Sequence, residues 1–137
     1  MKIEFIASVA MVAADPPTSR RLYVDALGLP LESQSGGEYV WTDKLDGAKH
    51  FGLWPLSQAA EACFGVSEWP AERPVPQVSI EFELADVASV DDAVDELEAA
   101  GHTVLHPARE EPWGQTVARL LSSDGAIVGV CFTPSMH

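Results

Sequence analysis

Alternation of apolar and polar residues is cleanest at residues 78–84. Val78, Ile80, Phe82 and Leu84 fall on one side of a strand, and Ser79, Glu81 and Glu83 on the other. Directly after it, Asp86 is placed to cap a helix with the apolar stripe Val87, Val90, Val94 and Leu97, which Gly101 ends. Three more strands are predicted at 103–106, 116–121 and 126–132. The N-terminal half runs in the same order. Residues 2–12 predict a strand, and Asp15-Pro16-Pro17 opens a helix with the stripe Leu22, Tyr23, Ala26 and Leu27, which Gly28 ends. Short strands are expected at 30–34, 38–43 and 49–54, with Gly36-Gly37 and Asp46-Gly47 as turns between them. Between the halves, residues 55–76 hold four prolines and little periodicity, so they predict an irregular connection.

The two halves are an internal repeat of strand, helix and three strands. Asp15 matches Asp86, Gly28 matches Gly101, and Asp46-Gly47-Ala48 matches Asp124-Gly125-Ala126. Three landmarks agreeing in order outweigh any one alone. The organisation expected is a βαβββ module at 1–54, a Pro-rich connection at 55–76 and a second module at 77–137, together one structural domain.

The segments Leu22-Tyr23-Val24-Asp25-Ala26-Leu27-Gly28-Leu29, Asp92-Ala93-Val94-Asp95-Glu96-Leu97-Glu98-Ala99-Ala100-Gly101 and Trp113-Gly114-Gln115 resemble the vicinal oxygen chelate superfamily. That group includes glyoxalase I, extradiol dioxygenases, fosfomycin resistance enzymes and bleomycin-binding proteins. The resemblance spans the chain except 55–76. It departs at Ser122-Ser123-Asp124-Gly125, where the family commonly has Asp-Pro-Asp-Gly. It implies an α+β fold in which two tandem βαβββ modules form a concave, barrel-like mixed sheet with helices outside. It also implies a homodimer. Activity does not follow, because the fold hosts many chemistries.

Composition narrows the partners. The 137 residues are 47% hydrophobic, which supplies a core. The net charge of −13 repels phosphates, so neither nucleic acid nor an anionic membrane is expected as a partner. Cationic small molecules and basic surfaces are favoured instead, though any single carboxylate on the surface also serves solubility. Cys63 and Cys131 form no CxxC pair. Cys131 lies in an apolar run and reads as core, while Cys63 reads as a loop residue. Two free thiols suit a reducing compartment, and the expected location is cytoplasmic. The opening MKIEFIASVAMVAAD reads as a strand and not as a secretion signal, because it is short and Glu4 interrupts it.

Metal-dependent members of the resembled family carry ligands on the first and last strand of each module. Aligned by the repeat, those positions are Ser8, Phe51, Ser79 and Gly129. None is a strong ligand for a divalent metal. A one-residue shift would bring in His50, but one histidine makes no site. The expectation is no metal, no cofactor and no assigned catalytic residue.

If Ser79 faces the concavity, so do Glu81 and Glu83. They would then hold a cationic ligand, or one would serve as a general base, or the strand face is simply open to water. Tyr39 and Trp41 share a strand face, and Trp54, Trp69 and Trp113 lie near strand ends or loops, suited to cleft walls or to core packing. Arg119 would meet a ligand carboxylate or form a salt bridge. The reading is a metal-free protein that sequesters a small molecule, similar to the bleomycin-resistance branch. Its contacts would be Tyr39, Trp41, Trp54, Glu81, Glu83 and Trp113, and its ligand cationic or aromatic. The alternatives are a lyase or isomerase with a non-standard site, and an interaction module with a vestigial cleft.

Overall fold

The computed structural model describes residues 1–34 and 36–137. Seven strands form one curled mixed sheet: β1 (Phe5–Ala13), β2 (Val40–Thr42), β3 (Phe51–Pro55), β4 (Val78–Glu83), β5 (Arg109–Glu110), β6 (Thr116–Leu121) and β7 (Ala126–Phe132). Their order across the sheet is β2-β3-β1-β4-β7-β6-β5. The first and last strands of each module lie side by side and parallel, β1 with β3 and β4 with β7. A parallel pair needs a crossover, and the module's helix supplies it. β1 and β4 then meet antiparallel at the centre and join the two modules into one sheet. The strands expected at 30–34 and 103–106 shrink to single bridges, Glu32 to Trp41 and Val104 to Leu120.

The second module's helix, α3 (Val87–Ala99), follows its sequence signals except at Val87, which is expected in the apolar stripe but is 49% exposed in the first turn. Asp86 caps it, accepting from the Ser89 amide at 2.8 Å. Val90, Ala93 and Val94 pack with Leu84, Ala118 and Val130 as a core on the outer face of the sheet. The first module's helix departs from expectation. α1 (Pro16–Arg20) passes into a π-helical stretch, Arg21–Ala26, and neither contains a buried residue. Leu22 and Leu27, expected in a buried stripe, are 51% and 58% exposed. Gly28 ends the stretch at φ 69° and Gly101 follows α3 at φ 92°, the left-handed geometry that glycine adopts without strain.

Residues 55–76 are more ordered than their prolines suggest. They contain a helix, α2 (Leu56–Phe64), in which Ala59, Ala60 and Cys63 are buried against Trp69 and Ile127. Cys63 is therefore a core residue and not a loop thiol, and burial pushes it up to about 11. Trp69 is core as well, with its indole N–H on the Pro74 carbonyl at 3.1 Å. Trp54 and Leu121 also pack on this cluster, which closes one end of the concave face. Among the described residues, no helix is long and apolar enough to cross a membrane.

Candidate functional site

The concave face opens into a cleft of about 1310 Å³. Its floor comes from the two central strands, through Ser8 and Ala10 of β1 and Ser79 and Glu81 of β4. A β-bulge between Ile6 and Ser8 shifts the pairing there. Ala7 is left in the core with Val117 and Cys131, while Ser8 reaches the floor. Ser8 Oγ donates to Glu81 Oε1 at 2.6 Å. Gln115 Nε2 donates to Glu81 Oε2 at 2.9 Å, and Trp113 Nε1 donates to Gln115 Oε1 at 2.9 Å. One connected chain of hydrogen bonds thus runs from the floor to the rim, where Trp113 is 61% exposed.

The opposite wall is built by the first module. Tyr39 and Trp41 stack on His50, with ring centroids 6.0 and 5.4 Å away and planes within 13° and 18°. The Tyr39 hydroxyl and His50 Nε2 form a 2.6 Å hydrogen bond. Burial raises the Tyr39 phenol above its ordinary range, and the Glu81 charge adds to that. Burial also lowers His50, against the opposing charges of Glu81 and Asp43. The wall is therefore a neutral stack of three parallel rings. Trp54 lines the end nearest α2, with the Arg119 guanidinium 5.7 Å from its ring centre.

Five of the six expected contacts, Tyr39, Trp41, Trp54, Glu81 and Trp113, border this one cleft. Glu83 does not. It is 0% exposed, and its carboxylate accepts from the Thr133 amide, the Thr133 hydroxyl, the Cys131 thiol and His137. It shares a strand face with Glu81, but the chain after β7 folds over that end of the sheet and seals it. Sequence reasoning passed over Ser8 and Gln115 as partners of Glu81. Ser8 reaches the floor through the β-bulge and the bond from Gln115 depends on a turn geometry, and periodicity encodes neither.

Phe51 is also misplaced by the repeat alignment. Its ring lies 6.0 Å from Tyr23 of the π-helical stretch, on the helix side of the sheet, and His50 takes the cleft-facing position instead. The shift of one residue turns the strand over, as strand periodicity requires. The resulting donor set does not fit a divalent metal. Ser8, Ser79 and Gly129 are weak or absent ligands, His50 Nε2 is held by Tyr39, and both Glu81 oxygens are held by neutral donors. Among the described residues, no three His, Cys, Asp or Glu side chains converge in a way that could hold a metal ion.

Solved structures share the fold at low identity. A glyoxalase/bleomycin resistance protein/dioxygenase superfamily member from Vibrio splendidus 12B01 is 18% identical, covers 93% of this chain and 97% of its own, and has a TM-score of 0.57. A variant of Streptomyces coelicolor methylmalonyl-CoA epimerase in complex with 2-nitronate-propionyl-CoA is 15% identical over 99% of both chains, with a TM-score of 0.61. An NAD-dependent benzaldehyde dehydrogenase from Legionella pneumophila is 14% identical over 91% of this chain and 96% of its own, with a TM-score of 0.58. A search of the curated proteins finds no match. The family model described as Glyoxalase/Bleomycin resistance protein/Dioxygenase superfamily matches residues 5–136, nearly the whole chain, and this chain belongs to that superfamily.

Proposed function

We propose that the protein captures a planar, positively charged small molecule in this cleft without a metal, in the manner of a bleomycin-resistance protein. The observation that carries the reading is Glu81. It is a carboxylate on the floor of an aromatic-walled cleft, and its two protein partners there, Ser8 and Gln115, are neutral donors. A carboxylate so placed favours a cation, and the Tyr39, His50 and Trp41 stack favours a flat ring system. Lys44, Lys49 and Arg119 also border the cleft. Lys49 lies over the Phe5 ring and Arg119 pairs with Glu111, and among the described residues no cation forms an ion pair with Glu81, so that carboxylate lacks a protein counter-ion. The reading includes a cytoplasmic homodimer.

The test is a fluorescence titration with a panel of cationic aromatic compounds. Tryptophan emission should be quenched on binding, and affinity should weaken as salt rises. Glu81→Gln should lower both the affinity and its salt dependence, whereas Asp91→Asn on the exposed side of α3 should change neither. Equal binding by wild type and Glu81→Gln would remove the basis for this function.

One observation favours a second reading, a metal-independent isomerase or lyase acting on a small carbonyl compound. Glu81 and a neutral His50 share the cleft, so a carboxylate base and a second proton-transfer group are both present. Turnover of such a compound, abolished by Glu81→Gln, would distinguish it from capture.

A further inference from the structure

Glu81, Gly129 and Arg119 form one row across three adjacent strands, since Glu81 pairs with Gly129 and Gly129 with Arg119. The middle position has no side chain. A Cβ there would stand 3.0 Å from Glu81 Cγ, so the acidic side chain leans over the glycine. Two strand spacings, roughly 10 Å, separate the acidic and basic backbone positions.

Arg119 is only 2% exposed, yet it borders the cleft. Among the described residues its side-chain hydrogen bonds all go through Nη1: Glu111 Oε1 at 2.9 Å, His106 Nε2 at 3.3 Å and the Ala62 carbonyl at 3.5 Å. Among the described residues, neither Nε nor Nη2 has a hydrogen-bond partner. Among the described residues, Arg20 Nε is the one sealed side-chain polar atom without a partner, so these two Arg119 donors are not fully sealed. Glu111 is moreover shared, because the same Oε1 also accepts from Arg109 Nε at 2.9 Å. Two guanidiniums on one carboxylate leave that corner of the cleft with excess positive charge.

We propose that the ligand is dipolar, with a planar cation held at Glu81 and a carboxylate received by the free Nε and Nη2 fork of Arg119. A guanidinium fork matches a carboxylate's two oxygens, and desolvation by the cleft strengthens the pairing. Trp54, against which the guanidinium lies, would hold the fork in plane. The proposal rests on the binding reading above and adds the second charge of the ligand.

The experiment compares tetramethylrhodamine, a xanthene cation with a free carboxylate, with its methyl ester, which keeps the cation and loses the anion. Both are titrated by fluorescence polarisation into wild type, Glu81→Gln and the charge-balanced pair Arg119→Met with Glu111→Gln. Wild type should prefer the free acid by about tenfold, the effect of one charge-assisted fork. The double variant should bring that ratio to about one. If the double variant fails to fold by circular dichroism, the wild-type ratio still decides: equal or weaker binding of the acid overturns the proposal. If the ester binds as well as the acid and Glu81→Gln weakens both, only the Arg119 assignment fails. If neither dye binds, or Glu81→Gln has no effect on either, the cationic-cleft reading fails with it.

Discussion

Tyr39 lies so close to Gly52 that a Cβ at that position would meet its hydroxyl at 2.6 Å and its ring carbons at 3.0 and 3.1 Å. The smallest residue of β3 therefore sets where the aromatic wall stands. Gly52→Ala should displace the Tyr39 ring, break its hydrogen bond to His50 and cost about 1–3 kcal/mol, the usual range for overpacking. Urea denaturation measures the cost, and loss of the shared hydrogen-bonded proton in NMR spectra reports the geometry. An unchanged stability would mean that the ring swings away freely. His50 itself gives a pH signature. Burial lowers both His50 and His106 from the ordinary 6.5, so the folded protein keeps them neutral where the unfolded chain takes up protons. Unfolding free energy should therefore be full above about pH 6.5 and fall as the pH drops from there towards the folded-state values. His50→Gln should flatten that slope, and a slope of equal size in the variant would assign it to His106 alone. At this scale the sequence was partly legible. Strand alternation identified Glu81 as facing the cleft, but it treated Glu83 identically, because burial under the chain after β7 is a tertiary event. The repeat landmarks placed Phe51 one residue off, since matching turns fixes a strand's position only to about a residue.

α2 shows how an element outside the repeat shapes the site. It closes one end of the concave face and presents Gln58 to the cleft. Its C-terminal turn is tied to the second module, where Arg109 and Arg119 donate to the Ala62 carbonyl. Cations at a helix C-terminus meet its unpaired carbonyls and the negative end of its dipole. Glu111 balances the two arginines. Burial would raise its carboxyl, but the hydrogen bonds and charges of Arg119 and Arg109 outweigh that and hold it low. Glu111→Ala would leave Arg119 buried with its charge uncompensated, an effect of about 3–5 kcal/mol. Thermal unfolding measures it, and hydrogen exchange should show α2 amides losing protection first. Protection lost evenly across the sheet would show that Glu111 does not act through α2. This helix was legible only in part. Leu56, Ala59, Ala60 and Cys63 recur at helical spacing, but alanines give a weak apolar signal and the four prolines of 55–76 dominated the reading. Pro55 precedes the helix and the other three follow it, so none interrupts it. α3, with a capping aspartate and larger apolar residues, was legible except at Val87, which is 49% exposed, and at Ala93, which is buried outside the expected stripe. The first helix was legible in its start and stop but not in its burial.

At the scale of the whole molecule, the pseudo-twofold sheet leaves open how copies of the chain meet. Pairing through sheet edges has little to work with, because β2 spans three residues at one edge and β5 two at the other. The apolar surface lies elsewhere. Leu27 N–H bonds to the Leu22 carbonyl at 2.9 Å, which places the two exposed leucines one wide turn apart on the π-helical stretch. Two half-exposed leucines on adjacent turns carry apolar area that a symmetric partner would cover, and twofold pairing is the commonest closed arrangement. The net charge of −13 opposes association at long range, so the dimer should be favoured by salt. Ligand capture by Glu81 should respond to salt in the opposite sense. Light scattering is expected to give a mass near twice 14.7 kDa at micromolar concentration in moderate salt. Leu22→Ser with Leu27→Ser should shift the protein to monomer without unfolding it, because neither side chain is in the core. A wild-type mass of one chain in both low and high salt would exclude the dimer. A dimer that survives the double substitution would move the interface to another face.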